Sequence, residues 1–321
     1  MRKIAVLTSG GDAPGMNAAI RAVVRTACVN GIEVLGVLRG YNGLINGDFV
    51  PMDLRSVSDI INRGGTILYT ARSAEFATEE GMQKAIRTCR ENGIDGVVVI
   101  GGDGSFRGAR DLSERGIPCV GIPGTIDNDI ACCDYTIGYD TCLNTIMEMV
   151  DRIRDTTESH DRCSVIEVMG RRAGYLALNS GIACGATATL IPEIPFEIEK
   201  HVIERMKKTM QTDKKHFVIV VAEGVGVDVK KLAAEIEAKT GVESRATILG
   251  YTQRGGCPTA KDRTMATRMG NYAVKLLMKD IGNRVVAAQK EEVVDFDIFE
   301  ALNMTKSIDM ELYNVAHEVS I

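Results

Sequence analysis

The alternation of apolar runs and glycine turns predicts an α/β fold: two similar doubly wound lobes with mainly parallel sheets and an active-site cleft between them. Three observations carry this expectation. Runs such as 97–100 are continuously β-branched, as in strands buried on both faces of a parallel sheet. They alternate with stretches of helical periodicity at the spacing of βα units. Several end in glycine turns bearing carboxylates or arginines, where open α/β sheets take their ligands.

Residues 4–8 read as a strand, followed by Ser9-Gly10-Gly11-Asp12-Ala13-Pro14-Gly15 and a helix starting near Met16 or Asn17. That series places free backbone N–H groups and a helix dipole at the loop, so it serves either as a phosphate cradle or as a structural turn. It is neither a Walker A loop nor a dinucleotide fingerprint. Residues 33–37 give a second strand, 39–43 a loop, 56–62 a short helix, and 63–66 a glycine turn upstream of Arg72. Residues 79–91 are amphipathic, with Met82, Ile86 and Cys89 on one side. The strand at 97–100 leads to Gly101-Gly102-Asp103-Gly104-Ser105 and a short helical span. The run at 119–122 leads to Pro123-Gly124-Thr125-Ile126-Asp127-Asn128-Asp129.

A less regular span, 130–139, precedes a long helix at 141–156, whose Leu143, Ile146, Met147, Val150 and Ile153 follow a 3.6 period. The alternation then restarts. A strand at 164–168 precedes Met169-Gly170-Arg171 and a helix; 189–191 is strand-like and 202–210 helical. A strand at 217–222 ends at Glu223, and a helix covers 230–239. A strand at 245–249 precedes Tyr251 and Gln253-Arg254-Gly255-Gly256, then come a helix at 261–278 and a short strand at 285–288. The best partition is two similar lobes joined by a rigid helix near residue 139, expected as 1–138 with 257–303 and 139–256 with 304–321.

Composition narrows the function. The chain has 321 residues, enough for two lobes. A net charge of -5 argues against a nucleic-acid protein, which needs a basic face. No apolar run approaches the ~20 residues of a membrane helix. The N-terminus enters a strand with no secretory segment, so a cytoplasmic location is expected. Nine cysteines, an odd number without a C-x-x-C pair, read as buried small hydrophobes rather than disulfides or zinc ligands.

The predicted strand ends of the two lobes differ. The first carries Gly11, Gly102, Asp103, Gly104, Thr125, Asp127 and Asp129, a set suited to a magnesium polyphosphate. The second carries Arg162, Met169, Gly170, Arg171, Glu223, Arg245, Tyr251 and Arg254. Its four arginines, at or just before predicted strand ends, suit capture of a phosphate. Asp127 and Asp129 read either as helix caps or as acceptors for an alcohol proton.

Gly101-Gly102-Asp103-Gly104-Ser105, the 123–129 segment, Met169-Gly170-Arg171 and Gln253-Arg254-Gly255-Gly256, with the opening Ser9–Asn17 stretch, resemble the bacterial 6-phosphofructokinase family. The resemblance covers essentially the whole chain. It implies transfer of the ATP γ-phosphoryl group to the 1-hydroxyl of fructose 6-phosphate, with Mg2+. By position, Asp127 resembles the base and Asp103 the magnesium carboxylate, with Asp129 close to the reacting groups. Gly11, Arg72, Ser73 and the turn Gly102, Asp103, Gly104, Ser105 resemble the ATP-phosphate positions. Thr125 and Arg171 resemble groups that stabilise the phosphoryl in flight. Met169, Gly170, Glu223, Tyr251 and Arg254 resemble sugar-phosphate contacts. Arg162 and Arg245 resemble arginines supplied by a neighbouring subunit, which implies a homotetramer with shared active sites.

The resemblance also sharpens the alternatives. Pyrophosphate-using relatives usually carry aspartate at the place of Gly104 and lysine at that of Gly124, so glycine at both favours ATP. A catalytically silent subunit would not need Asp103, Asp127, Arg72 and Arg171. A diacylglycerol or NAD kinase-like protein shares the Gly-Gly-Asp-Gly turn but not the sugar-phosphate arginines. Tyr251 stands where histidine is common. Arg21, Arg25, Arg154, Gly185, Lys214, Lys215 and His216 match an effector site for ADP and phosphoenolpyruvate. Leu54, Thr187 and Thr212 depart from its pattern, so weakened or altered allostery is expected.

Overall fold

A computed structural model describes residues 1–320 as two packing units. The first comprises Met1–Ile126, Ile130–Thr141 and Arg254–Lys306. The second comprises Asp127–Asp129, Cys142–Gln253 and the chain from Ser307 onward.

The first unit holds strands β1 (Lys3–Ser9), β2 (Glu33–Val37), β3 (Phe49–Met52), β4 (Gly96–Gly101), β5 (Cys119–Pro123), β10 (Arg284–Gln289) and β11 (Glu292–Asp297). They form a seven-stranded sheet in the order β11-β10-β5-β4-β1-β2-β3. The five strands from β10 to β2 are parallel, and β3 and β11 add antiparallel edges. Every residue of β4 is buried, as its unbroken apolar sequence requires. Its helices are α1 (Met16–Val29), α2 (Tyr41–Asn46), α3 (Glu79–Glu91), α4 (Asp103–Glu114), α9 (Ala260–Met278) and α10 (Ile298–Asn303). Strand order reverses between β1 and β4, so the turns after these two strands open at the switch point where such sheets bind ligands.

The second unit is built on β6 (Cys163–Val168), β7 (Ala188–Leu190), β8 (Phe217–Ala222) and β9 (Ser244–Ile248). They form a parallel four-stranded sheet in the order β7-β8-β6-β9. Helices α6 (Tyr175–Ala183), α7 (Glu204–Met210), α8 (Val229–Thr240) and α11 (Met310–Glu318) accompany it. The long helix α5 (Tyr139–Ser159) begins in the first unit and continues into the second.

Local differences from expectation have physical causes. Residues 56–62 are turns rather than a helix. Asp53 draws the Arg55 and Ser56 amides onto its carboxylate, and Asp59 adopts a φ of 55° that breaks helical continuation. The expected loop at 39–43 contains the start of α2. The helix at 202–210 is α7 entered through a π-helical turn, Glu199–Ile203. The edge strands β3 and β11 carry no buried-strand signature, because each presents a side to solvent; Pro51 sits on β3, where an edge tolerates it. All nine cysteines are free thiols, seven of them buried, with Cys28 half-buried and Cys257 exposed. No helix among the described residues is long and apolar enough to cross a membrane.

Candidate active site

In the first unit the turns after β1 and β4 are laced together. Ser105 Oγ donates to the Ser9 carbonyl at 3.0 Å, and the Tyr41 hydroxyl donates to the Ser105 carbonyl at 2.6 Å. Thr8 Oγ1 donates to the Tyr69 carbonyl and Thr70 Oγ1 to the Gly10 carbonyl, both at 2.8 Å. These bonds tie the segment leading to Arg72 beside the Gly10–Gly11 turn and leave the Arg72 side chain exposed. Ser73 Oγ accepts from the Phe76 amide at 3.2 Å, capping a short turn of helix.

Two helices start here without side-chain caps. Gly15, at a φ of 107° that disfavours any side chain, precedes α1, and Gly102 precedes α4. The Met16 amide donates to the Ala13 carbonyl at 3.2 Å and the Ser105 amide to the Gly102 carbonyl at 3.0 Å, which leaves other first-turn amides, such as that of Gly104, for an anion. Above Gly11 lies the Arg254 guanidinium: a Cβ at Gly11 would stand 2.2 Å from Nη1, which itself donates to the Asp12 carbonyl at 3.2 Å. Arg254 thus packs with the first unit rather than with the lobe expected for it.

Asp103 occupies the first turn of α4, half-exposed and paired with Arg107 Nε at 3.0 Å. No cluster of three or more acidic, histidine or cysteine side chains able to hold a metal exists among the described residues. One accessible carboxylate beside anion-binding amides fits magnesium, which is commonly held by one or two carboxylates together with substrate phosphates. A Cβ at Gly104 would meet open space, whereas one at Gly124 would lie 3.1 Å from Ile100 and 3.3 Å from Met16.

Thr125 is held through its backbone: its amide donates to the Ile137 carbonyl at 3.1 Å and its carbonyl accepts from Thr136 Oγ1 at 2.7 Å. Asp127 is 7% exposed, and Asp127–Asp129 pack with the second unit. No helix begins at 127–130, so the capping alternative for these aspartates drops out.

In the second unit the turn after β6 is held by two polar anchors. The Met169 amide donates to Gln253 Oε1 at 3.0 Å. The Gly170 and Arg171 amides donate to Glu223 Oε1 at 3.2 and 2.5 Å. Arg171 takes a φ of 58° and, like Tyr251, is exposed. Gln253 is fully buried, and nothing local in the Gln253-Arg254-Gly255-Gly256 stretch signals that it anchors Met169, 84 positions away in sequence. Tyr175 opens α6 just after this turn; burial, then the charges of Glu193 and Asp129, push its hydroxyl pKa up to about 12.

Arg162 and Arg245 lie elsewhere. Arg162 precedes β6 and Arg245 is near the start of β9, at the opposite end of β6 from Met169–Arg171. Six strand residues at about 3.3 Å each separate the two ends by roughly 20 Å. Both arginines instead share Glu243, Arg162 Nε at 2.9 Å, and the bond from Arg162 leads in holding that carboxyl below its usual range.

Of the expected effector residues, the second unit gathers Arg154, Gly185 and Lys214. Arg154 donates to the Cys184 carbonyl next to Gly185, and burial followed by repulsion from Arg154 lowers the Lys214 pKa. Arg21 and Arg25 lie one turn apart on α1 in the first unit; burial, then Arg25, lowers the Arg21 pKa. His216 directly precedes β8. Thr187 is buried and its carbonyl accepts from Arg205 Nε, while Leu54 is exposed.

Fold and side chains together define an α/β protein built to handle phosphate groups, with uncapped helix starts at a sheet switch point. A family model described as phosphofructokinase matches residues 3–277. An ATP-dependent 6-phosphofructokinase of Clostridium tetani is 55% identical over 320 residues, covering all of both chains. One of Bacillus pumilus is 52% identical over 321 residues with the same coverage. Among solved structures, phosphofructokinase from Saccharomyces cerevisiae matches with a TM-score of 0.89 and 35% identity, over 100% of this chain and 48% of that one. A pyrophosphate-dependent phosphofructokinase from Marinobacter aquaeolei, 22% identical over 97% of this chain and 86% of its own, shares the fold with a TM-score of 0.87. The chain belongs to the phosphofructokinase family.

Proposed function

We propose that this protein transfers the γ-phosphoryl group of ATP to the 1-hydroxyl of D-fructose 6-phosphate, giving fructose 1,6-bisphosphate and ADP. The observation that carries this reading is the pair of uncapped helix starts, α1 and α4, beside Asp103 at the switch point of the first sheet. Full-length relatives at 52 to 55% identity that bear the ATP-dependent name support the same donor. Open space above Gly104 leaves room for a nucleotide.

The first unit then serves ATP through Gly11, Arg72, Ser73 and the turn Gly102–Ser105. Asp103 would hold magnesium, whose charge would offset that of the phosphates. Its exposed pair with Arg107, of a type worth about 0.3–0.5 kcal/mol, is a small cost to release. Asp127 accepts the sugar hydroxyl proton, with Asp129 nearby in the chain. Thr125 and Arg171 stabilise the phosphoryl group, because a loose transition state is helped chiefly by positioning and charge. Met169, Gly170, Glu223, Tyr251 and Arg254 serve the sugar phosphate. Arg162 and Arg245, roughly 20 Å along the sheet from Met169–Arg171, would serve a neighbouring subunit in a homotetramer. The reaction is cytoplasmic in this reading, and effector control is weakened by Leu54, Thr187 and Thr212.

Aldolase-coupled formation of fructose 1,6-bisphosphate, with ATP or pyrophosphate as donor and magnesium present, tests the proposal. Turnover with ATP alone is expected. Turnover with pyrophosphate alone would overturn the donor, and none with either would revive the silent subunit.

A further inference from the structure

We propose that Asp262 is a positioning residue for this reaction: its buried carboxylate fixes residues 135–141, and that strap fixes Thr125. The inference rests on the role given to Thr125 above.

Asp262 lies in the first turn of α9 and is 0% exposed, yet no arginine or lysine pairs with it among the described residues. Its partners are all on the strap. Oδ1 accepts from the Tyr135 hydroxyl and, at 2.6 Å, from the Gly138 amide. Oδ2 accepts from the Thr141 hydroxyl and, at 2.8 Å, from the Thr141 amide. Each oxygen therefore faces one backbone N–H, a group that only donates. An asparagine of the same shape must turn its NH2 toward one of them, so carboxylate chemistry rather than volume is what the site demands.

The strap in turn runs parallel to the chain that carries Thr125. Gly124 bridges Ile137, the Ile137 amide donates to the Pro123 carbonyl at 2.9 Å, and Thr125 is gripped on both backbone groups by Ile137 and Thr136. The same strap packs on the turn after β1: a Cβ at Gly138 would stand 2.8 Å from that of Ala13. Thr259, the N-cap of α9, closes the assembly by bonding Asp140 and Thr141. Met169–Arg171 is held by bonds of its own, to Gln253 and Glu223. Loosening it should therefore disturb the reacting geometry more than sugar binding, and a displacement near 1 Å is enough to cost about a hundredfold in rate.

The test compares Asp262→Asn, Thr136→Val and Thr136→Ser with the unaltered enzyme. Asp262→Asn is expected to lower kcat at least about tenfold with the KM for fructose 6-phosphate changed less than about twofold. Thr136→Val should lower kcat in the same way, and Thr136→Ser, which keeps the hydroxyl, should restore it. Hydrogen exchange at the Thr125 and Ile137 amides should quicken in Asp262→Asn while β1 stays protected. An unchanged kcat in Asp262→Asn overturns the proposal. So does a loss that merely tracks unfolding while Thr136→Val stays fully active. If the unaltered protein turns over neither donor, the functional reading fails, and exchange at Thr125 still decides the strap: unchanged exchange overturns it, faster exchange supports it.

Discussion

Two glycines near the phosphate turns differ in what surrounds them. The open space at Gly104 means Gly104→Asp should fold normally, its carboxylate sitting favourably in the first turn of α4, with stability within about 0.5 kcal/mol of the original. It should still lower kcat/KM for ATP at least about tenfold, since a new negative charge would face the phosphates. Gly124 is walled in by Ile100 and Met16, so Gly124→Lys should cost about 1–3 kcal/mol by overpacking. Thermal melts with donor kinetics separate the two. Asp127→Asn should lower kcat by about 10²–10⁴ with folding intact, as for the loss of a general base. Tyr251 is 83% exposed, so Tyr251→His should be neutral for stability and give a KM for fructose 6-phosphate that depends on pH.

At the scale of elements, α11 shows how little apolar burial can dock a helix. None of its residues is buried, and its anchor is polar: Arg205 donates to the His317 carbonyl and contacts its ring. Burial, then the charges of Arg205, His201 and Lys200, lowers the His317 pKa. Docked, the ring resists a proton that it accepts near its ordinary pKa of about 6.5 when released. Docking is therefore fully favourable above that value and weakens as pH falls below it. Amides of α11 should exchange faster at pH 5.5 than at pH 7.5 after correction for intrinsic rates, and His317→Gln should flatten that difference. The same scale explains what the sequence could reveal. Strands buried on both faces, such as β4 and β8, announce themselves as unbroken apolar runs, and α3 shows its face by periodicity. Half-exposed β3, β11 and α11 lack either signal. Site residues in glycine turns were visible because the turns are local. The placement of Arg162 away from Arg171 was visible too, since one strand lies between them, whereas Arg254 over Gly11 and Gln253 on Met169 join distant segments and carry no local signal.

For the whole molecule, the proposed sharing of sites between subunits would make one chain an incomplete catalyst. If Arg162 serves a neighbour's site, Arg162→Ala and Asp127→Asn proteins should each be nearly inactive. Dissociated, mixed in equal amounts and reassembled, they should regain about a quarter of normal activity, because a quarter of randomly formed sites receives both intact residues. No recovery in tetramers shown to be mixed would place Arg162 within its own chain's function.

The cysteine distribution gives the protein a built-in handle for spectroscopy. Burial raises the thiol pKa of Cys89, Cys132 and Cys163 to about 12 and of Cys184 to about 11, which keeps them unreactive toward alkylating dyes. Cys257 is the one exposed thiol among the described residues, accepting from Arg263 at 3.0 Å. A maleimide fluorophore added near neutral pH should therefore label this one position without mutagenesis. The label would stand five residues before Asp262 and three after Arg254, so its emission should report on the segment that anchors the strap.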